Sequence, residues 1–269
     1  MRPGASVGKY GYKTLKDLAR ILSLFSYTGA ESMGVFEIAK SLQIIPSKVS
    51  RMLGTLEAEG FFEKNQSTGK YGLGGRFLEL GTQYVYNLPL RQIIHPHLVQ
   101  IATELKHSSN FAVFKNARII VVDRVQITGS GISHQVNVPN LPLHASSHGK
   151  IFLAYLPEDE QDNILTTIDL VRFTDATVTE PRLLKEELRK VRQRGYALDT
   201  EEMITGVIGI AVPVFKKGGS LVAALNVPVE GKSFCAPAEL SEITTYLKTK
   251  AFFVSQQLGY TGNSIQRVD

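Results

Sequence analysis

One segment, residues 36–71, constrains the fold of this chain more than any other. It reads FEIAKSLQIIPSKVSRMLGTLEAEGFFEKNQSTGKY and contains, in order, a helical apolar pattern, a short turn, a second such pattern and a hairpin. Phe36, Ala39 and Leu42 recur at helical spacing in the first pattern. Pro46 suits the first turn of the second helix, because its missing N–H falls where a helix has no internal acceptor. This order of elements predicts a winged helix-turn-helix.

The second helix of this segment has an apolar face formed by Val49, Leu53 and Leu56 and a polar face opposite. A helix in the major groove of DNA needs small or hydrogen-bonding side chains near its N-terminus and a forked donor for guanine or phosphate. The polar face supplies both. We therefore predict contacts to double-stranded operator DNA from five residues of this face, which are Ser47, Lys48, Ser50, Arg51 and Thr55.

The segment after this helix is predicted to form a hairpin, which would be the wing. Gly60 can end the helix, and the polar run 65–69 turns the chain between two short strands. Lys64 and Lys70 flank the tip, where we expect them to contact the sugar-phosphate backbone and to add affinity without sequence information. Two alternatives stay open for the segment: an ordinary solvated helix pair, and a winged helix that binds protein instead of DNA.

Charge and size both favour a small DNA-binding module followed by a larger domain. Of the formal net charge of +5, residues 1–86 carry +4, with 11 Lys and Arg against 7 Asp and Glu. This surplus favours a module that faces phosphate. A chain of 269 residues with 43% hydrophobic content is long enough to give a second domain its own core.

Other classes of protein fit the composition poorly. The single cysteine, Cys235, excludes an intrachain disulfide and a cysteine-based zinc site, and no apolar run reaches the length of a membrane span. His95-Pro96-His97 resembles a metal pair but lacks a third ligand, so we interpret it as a bend between helices. We expect a soluble, cytoplasmic protein without a metal, cofactor or membrane partner.

The residue pattern beyond the wing predicts an α+β domain. Residues 111–122 and 208–227 read as hairpins of antiparallel strands, and Ile132, Val136 and Val138 alternate with polar neighbours as in a further strand. Helices are predicted at four places, which are 147–156, 158–167, 182–194 and 237–258. The expected domains are a disordered tail at 1–11, the winged helix at 12–75, a linker helix at 76–90, the α+β domain at 91–260 and a C-terminal tail at 261–269.

From Tyr12 to Leu258 the chain resembles the IclR family of bacterial transcriptional regulators. The segments that carry the resemblance are IPSKVSRMLGTLEAEGF, KYGLGGRFLELG, LPLHASSHGKIFLAYLP, RGYALDTEE and GVIGIAVPVFKKGGSLVAALNV. The resemblance implies a homodimer, often paired into a tetramer, with a GAF-like C-terminal domain. This domain is expected to bind a small metabolite and thereby to change the affinity of the protein for its operator, as a repressor or an activator.

The segment HASSHGK is the expected start of the effector site. Backbone N–H groups at the start of a helix favour an anion such as a carboxylate. Gly209 stands where family members that bind small acids have a cysteine, and Asn226 and Pro228 stand where they have serines. These departures favour an organic acid larger than a short keto acid, with aromatic acids among the candidates. The resemblance places effector contacts at Ser147, His148, Asp199, Gly209 and Asn226. Purely structural roles for His148 and for Asp199 remain open.

A hydrolase is the alternative from another functional class. Ser146 or Ser147, with His144 or His148 and with Asp199, supplies the residue types of a hydrolytic triad. However, the sequence has no Gly-x-Ser-x-Gly elbow, and a histidine on the same turn as a serine rarely reaches it in the geometry of proton transfer. We therefore expect no enzymatic activity.

Overall fold

The computed structural model describes residues 12–127, 141–230 and 237–262. The chain divides into two compact units, Met1–Asn87 and Leu88–Asp269, and the division falls inside the predicted linker 76–90. Three sets of predicted features lie outside the described residues, namely the tail 1–11, most of the tail 261–269, and the strand residues Ile132, Val136 and Val138. No helix within the described ranges is both long enough and apolar enough to cross a bilayer.

The first unit is a three-helix head followed by a two-stranded antiparallel hairpin and a further helix. Its elements are α1 (Lys13–Thr28), α2 (Val35–Leu42), α3 (Pro46–Ala58), β1 (Phe62–Lys64), β2 (Tyr71–Leu73) and α4 (Arg76–Tyr86). The core is formed by fully buried side chains from every helix of the head and from the hairpin, including Ile21, Ile38, Val49, Leu53 and Phe62. This is the winged helix-turn-helix that the sequence predicts.

The turn between α2 and α3 has clear local causes. Gln43 adopts a left-handed conformation with a φ of 54° and ends α2, and its N–H donates to the carbonyl of Lys40. Ile44 is then buried, and Pro46 occupies the first position of α3, where no helical acceptor is available for an N–H. After α3, Gly60 turns the chain toward the hairpin with a φ of +75°.

The apolar stripe of α2 differs from the predicted one. Ile38 and Ala39 are buried, whereas Phe36 is 78% exposed. Val35 and Leu42 pack on the same core as Ile38 and Ala39, so the stripe follows positions 35, 38, 39 and 42. At 100° per residue Phe36 lies roughly 100° from the centre of that stripe, which is why its ring faces away from the core.

The second unit is built on a five-stranded antiparallel sheet with the strand order β4-β3-β7-β6-β5. Its elements are α5 (Pro89–Leu105), β3 (Ser109–Lys115), β4 (Arg118–Val125), α6 (Ser147–Tyr155), α7 (Glu158–Thr167), α8 (Pro181–Arg194), β5 (Ala197–Thr200), β6 (Val207–Phe215), β7 (Leu221–Glu230) and α9 (Pro237–Gln257). Residues 208–215 of β6 are all buried, so both faces of the sheet are covered. Helix α6 contacts the sheet and packs with α8, whereas α5 and α9 contact the sheet and each other.

This architecture confirms the predicted α+β class, and the four predicted helices α6 to α9 match within one residue at each end. Strand β5, of only four residues, was not predicted from the sequence. The interpretation of His95-Pro96-His97 as a bend between helices was wrong, because this segment lies inside α5. The helix continues through Pro96 because Ile94 and Leu98 on either side are fully buried.

Candidate nucleic-acid interface and effector cavity

Helix α3 presents one polar face to solvent. Ser47, Ser50, Arg51 and Thr55 are exposed on it, while the opposite face is buried in the core of the head. Arg51 forms no ion pair with another described residue, and its backbone carbonyl accepts the Thr55 hydroxyl at 3.0 Å. A guanidinium free to extend from this face has the forked geometry that suits a guanine edge or a phosphate.

Lys48 is placed differently from its neighbours on α3. Its Nζ lies 2.6 Å from Oδ2 of Asp17, a buried side chain of α1, and the lysine side chain is only 25% exposed. The hydrogen bond from Lys48 lowers the pKa of Asp17, so this carboxylate stays ionised. The expected outward position of Lys48 is therefore corrected: a buried carboxylate needs a charged partner, and the long lysine stem at the edge of the helix supplies it.

The two wing lysines also have partners within the head. Lys64 Nζ lies 5.5 Å from the ring centroid of Tyr71. Lys70 Nζ lies 3.0 Å from Oε1 of Glu37, whose other oxygen accepts the N–H of Gly34 at the start of α2. Both lysines remain at the surface, and the Lys70 pair joins the turn end of the hairpin to α2.

The five residues expected to contact an effector all line one cavity in the second unit. They come from separate elements: Ser147 and His148 from the start of α6, Asp199 from β5, Gly209 from β6 and Asn226 from β7. The space open to the centre of a water molecule is about 50 Å³. The remaining lining side chains are mostly apolar and include Leu141, Met203, Ile204, Val207 and Pro228, together with the polar Asn110 and Ser146.

The start of α6 forms one wall of this cavity. Ser146 caps the helix, since its hydroxyl oxygen accepts the N–H of Gly149 at 3.1 Å and the hydroxyl donates to the carbonyl of Pro142 at 2.6 Å. The next two N–H groups, of Ser147 and His148, belong to the first helical turn, where no earlier helical carbonyl can accept them. The wall therefore carries the positive end of the helix dipole.

Another wall of the cavity is formed by buried side-chain amides and a hydroxyl that are hydrogen-bonded in series. Asn226 Nδ2 donates to Ser147 Oγ at 2.9 Å and to the carbonyl of Ile210 at 3.1 Å, and Asn110 Nδ2 donates to Asn226 Oδ1 at 3.0 Å. A Cβ at Gly209 would lie 2.8 Å from Ser147 Oγ, so the absence of a side chain there keeps this space open. Asn110 was missed by sequence reasoning; its signal is a polar residue inside a strand that is otherwise buried.

His148 and Asp199 are the two titratable side chains of the cavity. His148 Nε2 is buried without a hydrogen-bond partner among the described residues, and burial lowers the His148 pKa to about 3, so the imidazole is neutral. Burial raises the pKa of Asp199 to about 7, although Oδ1 of Asp199 accepts the N–H groups of Glu202 at 2.8 Å and Met203 at 3.2 Å. At neutral pH the Asp199 carboxyl is therefore present in both protonation states.

A buried ion pair lies beside the cavity and was also missed. Lys150 is 1% exposed, and its Nζ donates to a carboxylate oxygen of Glu202 and to the carbonyl of Leu198 at 2.9 Å. Thr177 Oγ1 donates to the backbone carbonyl of Glu202 at 2.6 Å. These bonds hold the segment that carries Asp199 against α6. The sequence signal was a lysine on an apolar helix and the Glu-Glu pair that follows β5.

The residue types of a hydrolytic triad are present but are not connected to one another. Ser146 donates to Pro142, Ser147 accepts from Asn226, and His144 Nε2 lies 2.9 Å from the carbonyl of Val171. Among the described residues no hydrogen bond joins either serine to a histidine. Those residues also contain no group of three His, Cys, Asp or Glu side chains that could hold a metal ion; His95 Nδ1 instead lies 2.8 Å from Asp123 Oδ2.

Comparison with known proteins matches both units. Residues 82–256 match the profile described as bacterial transcriptional regulator IclR C-terminal, and residues 15–66 match the IclR helix-turn-helix domain. The transcriptional repressor IclR of Escherichia coli is 31% identical over 218 residues, which cover 79% of each chain.

Two solved structures have the same fold. The Thermotoga maritima IclR structure is 29% identical with a TM-score of 0.63, over 92% of this chain and 99% of that one. An IclR homologue from Microbacterium hydrocarbonoxydans, complexed with 4-hydroxybenzoate, is 24% identical with a TM-score of 0.72, over 92% of this chain and all of that one (100%). With both of its units matched in this way, the chain belongs to the IclR family of bacterial transcriptional regulators, which bind DNA through the helix-turn-helix.

Proposed function

We propose that the cavity between α6 and the strands β5, β6 and β7 binds a small organic acid, and that its occupancy alters the affinity of the winged helix for operator DNA. The observation that carries this proposal is the convergence of polar groups from four elements on one cavity. Two of these groups, His148 Nε2 and Asn110 Oδ1, are buried without partners among the described residues. Buried polar atoms are nearly always satisfied, so a ligand that hydrogen-bonds them would be stabilised.

The electrostatics of the cavity favour an acid that is held by hydrogen bonds. Among the described residues no lysine or arginine lines the space, so a carboxylate would be received by the first N–H groups of α6 and by neutral His148. Asp199 opposes an anion when it is ionised, but in its protonated form it can donate to a carboxylate oxygen. The apolar lining suits a ring, and 4-hydroxybenzoate, the ligand of the Microbacterium relative, has this combination of ring, carboxylate and hydroxyl.

Ligand binding is tested with 4-hydroxybenzoate, benzoate and pyruvate by isothermal titration calorimetry on the full chain. The phenolic acid should bind more tightly than pyruvate, and His148→Asn should weaken it about tenfold, as expected for the loss of one buried hydrogen bond of about 1.4 kcal/mol. His95→Asn, outside the cavity, is the matched control. Equal affinity of His148→Asn and the unaltered protein would assign His148 to structure, and no binding of any acid would refute the proposed ligand class.

For the DNA contacts we propose a division of roles along the head. Ser47, Ser50 and Arg51 would contact base edges, because the N-terminal half of a recognition helix lies deepest in the major groove. Thr55, Lys64 and Lys70 would contact the sugar-phosphate backbone. Lys48, bound to Asp17, would position α3 against α1.

These contacts are tested on the intergenic DNA beside the gene of this protein, by gel shift over a range of salt concentrations. Binding should be sequence-specific and should weaken steeply with salt. Arg51→Ala should reduce specific binding by at least tenfold, whereas Arg189→Ala, which removes an exposed arginine from α8, should leave it unchanged. Equal losses in the two variants, or binding without sequence preference, would remove the assigned role of Arg51.

We also propose a homodimer, able to pair into a tetramer, that recognises a two-fold symmetric operator in the cytoplasm. Helix α4 exposes Leu78, Leu80 and Tyr84, which are apolar side chains of the kind that a second copy would cover. The linker region 76–90 would then transmit the state of the cavity to the two heads.

We propose no enzymatic activity, because each candidate serine is hydrogen-bonded to a group other than a histidine.

A further inference from the structure

Ile45, an apolar residue of the head, occupies the N-cap position of α3. Ile45 is the residue that immediately precedes the first turn of α3, with φ −61° and ψ 129°, and it is 69% exposed. This N-cap position strongly favours Ser, Thr, Asp or Asn, whose side chains accept an N–H of the first turn. Ile45 makes no such bond. The residue thus gives up a capping hydrogen bond and places a branched hydrocarbon in water.

The local backbone fixes the place of Ile45. Its neighbour Ile44 is buried in the core of the head, and the Ile44 N–H donates to the carbonyl of Ala39 at 3.0 Å. On the other side, Pro46 restricts Ile45 to an extended conformation. A buried residue before it and a rigid one after it leave little freedom for Ile45 to fold back onto the head.

Single exposed apolar residues are common on protein surfaces, so exposure alone indicates little. Ile45 differs because the N-terminal end of a recognition helix is the part that approaches base edges in the major groove. The neighbouring exposed side chain, Ser47, is small and would not keep Ile45 away from a base pair. An isoleucine cannot make a hydrogen bond, and thymine, through its C5-methyl group, is the base with an apolar group on that edge.

We propose that Ile45 contacts the C5-methyl group of a thymine in each half-site of the operator and thereby selects a T·A pair at that position. A base pair without this methyl group would give Ile45 less apolar contact, and a donor or acceptor facing Ile45 would lose water without gaining a partner. The inference rests on the proposed approach of α3 to the major groove. Ile45 would recognise sequence through an apolar contact, in addition to the polar residues already assigned to base edges.

The test uses a duplex enriched by the full-length protein from a randomised library. Each thymine of a half-site is replaced in turn by deoxyuridine, which lacks the methyl group and keeps every hydrogen-bonding atom. A replacement in one half-site should weaken binding about fourfold, the equivalent of one buried methyl or methylene group. Ile45→Ala changes both protomers, so it should bind the thymine duplex about sixteenfold more weakly, and it should no longer distinguish this duplex from the deoxyuridine duplex.

Ile120→Ala is the matched control, because Ile120 is also an exposed isoleucine (46%) but belongs to the second unit. It should retain the full response to deoxyuridine. If the Ile45→Ala variant, with an unchanged melting temperature, still loses fourfold on the deoxyuridine duplex, another residue reads the methyl group and the inference is overturned. An enriched duplex that is insensitive to every deoxyuridine also overturns it. Failure to enrich any sequence would instead refute the DNA-binding role itself.

Discussion

Replacing Asp199 by asparagine should remove the pH dependence that this carboxyl gives to folding. Burial raises the pKa of Asp199 from 3.8 to about 7, so the folded chain holds a proton there that the unfolded chain has already released. Stability from this group is therefore greatest near pH 4 and falls as the pH rises to 7. The amide introduced by Asp199→Asn would be uncharged throughout, and its oxygen can still accept the N–H groups of Glu202 and Met203.

The size of the effect follows from the two pKa values. One pKa unit corresponds to about 1.4 kcal/mol, so the rise to about 7 gives a change of up to about 4 kcal/mol between pH 4 and pH 8. Asp199 is 5% exposed, so little of this is lost to solvent screening. For a unit of roughly 180 residues, 1 kcal/mol moves the melting temperature by about 2–4 °C. The difference in melting temperature between the two proteins should therefore change by about 8–16 °C.

The assay is thermal unfolding of both proteins at matched ionic strength from pH 4 to pH 8, without ligand. The difference between them reports Asp199 and its electrostatic coupling to Glu202 and Lys150, because the other titratable groups, including His148, are shared. The stability of the unaltered protein relative to Asp199→Asn should be greatest at pH 4. The melting temperature of Asp199→Asn minus that of the unaltered protein should therefore rise up to about pH 7 and then stay constant. A difference that is independent of pH, or that changes in the opposite direction, would show that folding does not raise the pKa of Asp199.

Two further predictions concern the cavity and the head. Gly209→Val should abolish the binding of 4-hydroxybenzoate, measured by calorimetry, while leaving DNA binding in place, because even a Cβ there would lie 2.8 Å from Ser147 Oγ; normal ligand affinity would place the ligand elsewhere. Asp17→Asn should release Lys48 and increase the slope of log K against log salt by about one for each protomer, since one more cation becomes available to phosphate. An unchanged slope would mean that Lys48 does not reach DNA even when released.

Elements with strong local patterns were predictable from the sequence. The hairpin around residues 217–219 and the helices α6 to α9 have short, unambiguous apolar periods and clear breakers at their ends. The five predicted effector contacts, which all line the cavity, were named from family resemblance, since nothing in their spacing indicates that α6, β5, β6 and β7 converge. Proximity of that kind is a property of the sheet order, which a local pattern does not encode.

The errors have a common physical origin, which is tertiary packing that local periodicity cannot specify. Phe36 fits a helical stripe in the sequence, but the face that α2 buries is set by the helices packed against it. Lys48 has the polar character of an outward residue, and only the position of α1 shows that Asp17 needs a partner there. Pro96 is a helix breaker by propensity, yet the burial of Ile94 and Leu98 keeps α5 continuous.

The central claim is that an acid bound in the second unit changes DNA binding by the first. Fluorescence anisotropy of a labelled duplex that the protein has selected, titrated with protein at zero and at saturating 4-hydroxybenzoate, measures this directly. We predict at least a roughly fivefold change in the dissociation constant, the lower range of typical allosteric coupling, and its loss in Gly209→Val. Identical curves, at an acid concentration that calorimetry shows to be saturating, would contradict the account.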